Sequence, residues 1–146
     1  MEIIATNRKA HFQYEILEKY EAGIVLKGTE VKSLRNKNAS LNESYAQLKG
    51  NEVFLYNLDI SPYEQGNREN HDPKRVRKLL LHRREINKLI GKIQQRGFTL
   101  IPISMYFKDG LAKVELAVGR GKRLLDKRES IKKRMIEREI RRTVKR

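Results

Sequence analysis

Apolar and polar side chains alternate along this chain with two distinct periods. In "FQYEILEKYEAGIVL", Phe12 to Leu26, Tyr14 and Ile16 stand two apart, and the phase shifts near Leu17 before Ala22, Ile24 and Leu26. The pattern predicts a strand with a bulge, relaxed at Gly23. Thr29 is then placed to cap a short helix, in which Val31 and Leu34 share a face. "SYAQLK" and "EVFLYNLDI" flank Gly50-Asn51 and predict a hairpin with a two-residue loop. Within its second arm, Phe54, Tyr56, Leu58 and Ile60 form one apolar side at strand spacing.

Ser61 to Lys78 lacks any apolar period and holds two of the three prolines, so it reads as one long loop. After it, Ile86, Leu89, Ile90 and Ile93 recur at i, i+3, i+4 and i+7, with Gly97 as the C-terminal cap, predicting a helix over 83–95. A second, longer hairpin follows. Ile101, Ile103, Met105 and Phe107 alternate, Asp109-Gly110 turns the chain, and Val114, Leu116 and Val118 alternate back. Pro102 inside that run implies an edge or a bulge. About six hairpin-connected strands with a short early helix and a longer later one give a mainly β fold with helices. The natural closure is an antiparallel β-barrel of the oligonucleotide-binding (OB) type, which leaves no unpaired edge. A flat sheet with helices on one face is the alternative.

Composition narrows the function. A chain of 146 residues, 38% apolar, is one domain with one modest core. Its formal charge of +15 points to a polyanionic partner, RNA, DNA or an anionic lipid surface, with nucleic acid first. The charge is densest at the end: from Lys127 to Arg146 there are ten Lys/Arg against three Glu. Residues 1–121 are therefore expected to form the barrel and 122–146 a basic tail, disordered when free. The absence of cysteine excludes disulfides and thiolate metal sites. With no apolar run long enough to cross a membrane and no signal-peptide pattern at the start, a soluble cytoplasmic protein is expected.

Catalytic motifs are missing. "GRGKR" at 119–123 fails as a phosphate loop, because Leu116 stands where Gly is needed and Arg123 where Ser or Thr is needed. His71-Asp72 suggests acid–base chemistry, but His11 and His82 are distant in sequence, and the expected reading is a solvated or RNA-facing imidazole. No cofactor or metal is implied. Glu21 is either a surface ion pair or an acceptor for base-edge amino groups. In "NRKAHFQY", Asn7, Arg8, Lys9 and His11 accompany Phe12 and Tyr14, a mixture of amide, cations and rings suited to RNA. An RNA-binding factor thus leads. An RNA-processing enzyme with a basic grip is second, and a membrane-surface or coiled-coil protein is last, because the tail stripe of Ile131, Met135, Ile136, Ile140 and Val144 lacks aromatics and sustained heptads.

Three blocks sharpen this reading: "NRKAHFQYEILEKYEAGIVLKGTEVKSLR", "NHDPKRVRKLLLHRREI" and "GRGKRLLDKRESIKKR". In order and spacing, from about Ala5 to Arg134, they resemble the SsrA-binding protein (SmpB) family, the bacterial partners of transfer-messenger RNA. The resemblance implies an OB-type barrel that binds the tRNA-like domain of that RNA. It also implies action with elongation factor Tu in rescuing ribosomes stalled on messages without a stop codon, as a monomer and not as an enzyme. By position, Asn7, Glu21, Leu80 and Lys113 match RNA-contacting residues, with Lys9 and His11 on the same stretch; Leu80 also reads as plain core at a helix entrance. In the tail, Gly121, Lys122 and Arg123 match a glycine-plus-two-cations motif, and Asp126, Lys127 and Arg128 a near-fixed triplet. Both belong to the segment that occupies the decoding centre and the empty mRNA channel, where it becomes helical. Leu125 stands where the family often carries His or an aromatic.

Overall fold

The computed structural model describes residues 1–63, 70–94 and 97–121; the predicted tail from Lys122 onward lies outside the described residues. The chain runs β1 (Glu2–Thr6), α1 (Ala10–Gln13), β2 (Tyr14–Ile24), α2 (Gly28–Arg35), β3 (Ala39–Ser40), β4 (Tyr45–Lys49) and β5 (Glu52–Tyr56). It continues through β6 (Asp59–Ile60), β7 (Arg77–Leu80), α3 (Arg83–Ile93), β8 (Phe98–Lys108) and β9 (Leu111–Gly121). Strands pair in the order β8-β4-β5-β7-β2-β9, and β9 pairs back onto β8, so six antiparallel strands close a ring. This is an OB-like barrel. The ring matches the expected number of about six strands, but the sequence pattern named no strand at β7, nor β1, which adds to β8, nor the small β3–β6 pair.

Both predicted hairpins form. Lys49 pairs with Glu52 and Lys108 with Leu111, leaving two-residue loops; Asp109 and Gly110 take φ of 53° and 77°, the left-handed pair such a turn requires. The bulge in β2 lies between Ile16 and Glu18, at the predicted place. Four local expectations fail for identifiable reasons. The first strand begins only at Tyr14, because residues Ala10–Gln13 coil into a helical turn. Thr29 does not cap α2: the helix starts at Gly28, and the Glu30 carboxylate accepts the Lys27 backbone N–H at 2.8 Å. In β5 the core residues are Val53 and Leu55, while Phe54 and Tyr56 face outward; Asn57, at φ 60°, resets the phase so that Leu58 and Ile60 are buried. The long loop also stops earlier than expected, since Arg77 and Lys78 already belong to β7.

The bulge in β8 between Pro102 and Ser104 has the largest structural effect. It splits the alternating series: Met105 enters the barrel core with Leu100, whereas Ile101 and Ile103 pack outside with Ala10 and Ala117. The barrel therefore has two cores, one enclosed and one outside, beneath α1. Gly119 permits the second, because a Cβ there would lie 2.7 Å from Ile101 Cδ1 and 3.2 Å from Tyr14 Cβ. Leu34 of α2 and Leu89 of α3 are fully buried in the enclosed core. Among the described residues, no helix is long and apolar enough to cross a membrane.

Candidate nucleic-acid interface

Pairing registers place Leu80, Gly23, Lys113 and Tyr106 in one row across β7, β2, β9 and β8. Directly paired residues project to the same face of a sheet, and the alternating neighbours Ala22 and Val114 are fully buried inside. The row therefore lies on the outer face. Glu21, two residues before Gly23, shares that face, so three of the six barrel residues singled out from the sequence converge. Leu80 is not core: half its surface is exposed, and it lies over Gly23, where an added Cβ would come within 3.3 Å of Leu80 Cβ.

Glu21 is held rather than loose. Its Oε2 accepts from the Tyr106 hydroxyl at 2.5 Å, and the Lys108 ammonium approaches both oxygens at 3.3–3.4 Å. The Tyr106 hydrogen bond, followed by the Lys108 and Lys113 charges, keeps its carboxyl below the ordinary range despite partial desolvation. Burial, reinforced by Glu21, pushes the Tyr106 phenol up, so it remains a donor. The result is an exposed carboxylate fixed in orientation, beside the Lys113 ammonium and the apolar Leu80 side chain. Such a group can accept from a base edge while the cation meets phosphate.

Asn7, Lys9 and His11 form a separate group near the Tyr14 end of β2. Successive strand residues rise about 3.3 Å, so the two groups are up to roughly 30 Å apart along that strand. Asn7 is buried; its Nδ2 donates to the Pro102 carbonyl at 3.0 Å and its backbone N–H to the Ile103 carbonyl at 2.7 Å. It thus pins α1 to the β8 bulge. Lys9 pairs with Glu43 at 3.5 Å, while His11 and Phe12 are exposed.

His71 is neither solvated nor free. It is buried, with Nδ1 2.9 Å from the Thr29 hydroxyl and Nε2 2.8 Å from the Ile60 carbonyl, and it ties the segment leading into β7 to α2 and to the end of β6. His82 and Glu85 line one shallow groove, but the Glu85 carboxylate accepts the His82 backbone N–H and so caps α3. The sequence reading also missed an outward aromatic pair, Tyr45 and Tyr56, stacked at 5.2 Å and 10°. Hairpin arithmetic from the two-residue loop would have found it, because pairing Lys49 with Glu52 puts Tyr45 opposite Tyr56.

The family model described as SmpB protein matches residues 4–146. The chain belongs to the SmpB family. The SsrA-binding protein of Geobacillus kaustophilus is 60% identical over 140 residues, covering 96% of this chain and 90% of the relative. That of Halothermothrix orenii is 56% identical over 145 residues, covering 99% and 94%. A solved structure described as "tmRNA-SmpB: a journey to the center of the bacterial ribosome" matches with a TM-score of 0.67 and 53% identity, covering 80% of this chain and 82% of that one. In this SmpB-family chain, Gly121 ends β9 and pairs with Tyr14; Lys122, Arg123, Leu125, Asp126, Lys127 and Arg128 lie outside the described residues.

Proposed function

We propose that this chain binds the tRNA-like domain of transfer-messenger RNA and delivers it to stalled ribosomes for trans-translation. It acts in the cytoplasm as a binding factor, not an enzyme, in complex with elongation factor Tu through the RNA. The barrel recognises the tRNA-like domain, and the tail from Gly121 onward enters the decoding centre and the empty mRNA channel. The observation that carries this reading is the outward-facing row of Leu80, Gly23 and Lys113 with Glu21 held beside it, in a chain of the SmpB family. A net charge of +15 supplies the long-range attraction to RNA.

Glu21→Gln and Leu80→Ala test it. Each is expected to weaken binding of a tRNA-like-domain transcript roughly fivefold or more, the scale of a lost base contact. The melting temperature should stay close to wild type, since both side chains are exposed. Lys113→Ala should weaken binding and flatten the salt dependence by roughly 0.7–0.9 in slope, as for one lost phosphate contact. Wild-type affinity in all three variants would remove this face from the interface.

A further inference from the structure

A cleft of about 340 Å³ lies between the segment leading into α1 and the start of β4, lined by Asn7, Lys9, Tyr14, Tyr45, Thr99 and Ile101 among others. We propose that it takes one unstacked nucleotide of bound RNA, the base against Tyr45 and the phosphate on Lys9. This rests on the RNA-binding reading above and adds a site away from the Leu80–Lys113 row.

Four observations converge on a nucleotide. The cleft has the size of a small-molecule site. Tyr45 is 40% exposed although one face of its ring is covered by Tyr56, so a flat aromatic surface remains for a ligand. That surface is pre-organised: Lys49 Nζ stands 5.3 Å from the Tyr56 centroid, and Tyr56 in turn backs Tyr45. A base would extend a stack that already exists, with little further loss of side-chain freedom. Polar groups edge the cleft where a base needs them. The Thr99 hydroxyl both donates and accepts, and Asn7, whose Nδ2 is engaged by Pro102, keeps its amide oxygen as an acceptor.

The phosphate contact follows from the ion pair at the rim. Lys9 and Glu43 both line the cleft and meet at 3.5 Å, but their side chains are 61% and 79% exposed, so the pair is weak. A phosphate replaces Glu43 on Lys9 at little cost. Stacking plus one cation is how proteins hold unpaired RNA nucleotides, whose π-faces are accessible only when splayed from a helix.

The test is titration of the isotope-labelled full chain with AMP and, separately, with ribose 5-phosphate, followed by NMR. AMP is expected to shift the Asn7 side-chain amide and the Tyr45 and Thr99 backbone resonances saturably, and ribose 5-phosphate to shift them much less. Tyr45→Ala should weaken the AMP response roughly tenfold or more, while Tyr45→Phe retains it. Equal responses to the two ligands, no response at the cleft, or a Tyr45→Ala protein that titrates like wild type would overturn the proposal. The parent reading fails separately: it falls if the wild-type chain does not bind the tRNA-like domain, whereas binding of that domain without an AMP response sinks only the cleft.

Discussion

Arg77→Ala is expected to lose about 3–5 kcal/mol of stability, the usual consequence of stripping one partner from a buried ion pair. A domain has only about 5–15 kcal/mol in total, so most of the protein should unfold at moderate denaturant. Arg77 is fully buried. Its Nε donates to Glu30 Oε2 at 2.5 Å, and its Nη atoms donate to the carbonyls of Leu58 at 2.6 Å and Pro73 at 3.0 Å. Glu30, also fully buried, accepts a second guanidinium from Arg75 at 2.5 Å. The variant would strip Glu30 Oε2 of the Arg77 guanidinium while Oε1 keeps Arg75 and the Lys27 N–H, and three segments, α2, β7 and the loop before it, would lose their common anchor. Denaturant unfolding curves measure the loss, and a midpoint matching wild type would contradict it.

The same network sets an acid limit. Burial pushes the Glu30 carboxyl upward, but the hydrogen bonds from Arg75, the Lys27 N–H and Arg77 outweigh it and hold the group below its ordinary value. Burial also lowers the Arg77 guanidinium, yet from a starting point so high that it stays cationic wherever the protein is folded. A depressed carboxyl contributes stability above its unfolded value and loses it as pH falls through the folded one. Wild type should therefore weaken progressively below the ordinary carboxylate range, and Glu30→Gln, already destabilised, should show a shallower acid dependence.

The second large effect concerns the tail. A chain ending at Gly121 is expected to keep its fold and its affinity for the tRNA-like domain while losing peptide tagging on stalled ribosomes. The barrel closes entirely within the described residues, with β9 running to Gly121 and pairing along both β2 and β8. Nothing in that closure requires Lys122 onward. The removed segment carries a net charge of +7 over its last twenty residues, suited to a channel walled by rRNA phosphate. Met135→Pro separates charge from the helix that we propose the tail forms on the ribosome. It keeps every cation but costs a helix about 3 kcal/mol or more, so it too should abolish tagging while tRNA-like-domain binding persists. Tagging by the truncated chain at the wild-type rate would show the tail to be dispensable.

Period and turn chemistry made most of the barrel legible. The hairpins at Gly50-Asn51 and Asp109-Gly110, the bulge near Leu17 and the α3 stripe all follow from local signals, because a two-residue loop fixes register and a 3.6-residue period fixes a face. What escaped depends on contacts between distant segments. Whether Ile101 and Ile103 join Met105 is decided by one extra residue at the β8 bulge, which reverses the face of everything before it. His71 looked solvated because its partners, Thr29 and Ile60, lie far away in sequence. β1 is short and, among the described residues, pairs with β8 alone. As for the site, Leu80 could not be assigned to surface or core from a run of three leucines; only its pairing with Gly23 turns it outward.

Selective recognition of one RNA goes beyond what basic charge alone gives. Competition binding at physiological salt tests it most directly: full-length protein on a labelled tRNA-like domain of transfer-messenger RNA, challenged with that same domain or with an elongator tRNA of similar length. Non-specific electrostatic attraction treats the two competitors alike. The tRNA-like domain should displace the probe at far lower concentration than the elongator tRNA. Equal displacement by both would contradict it.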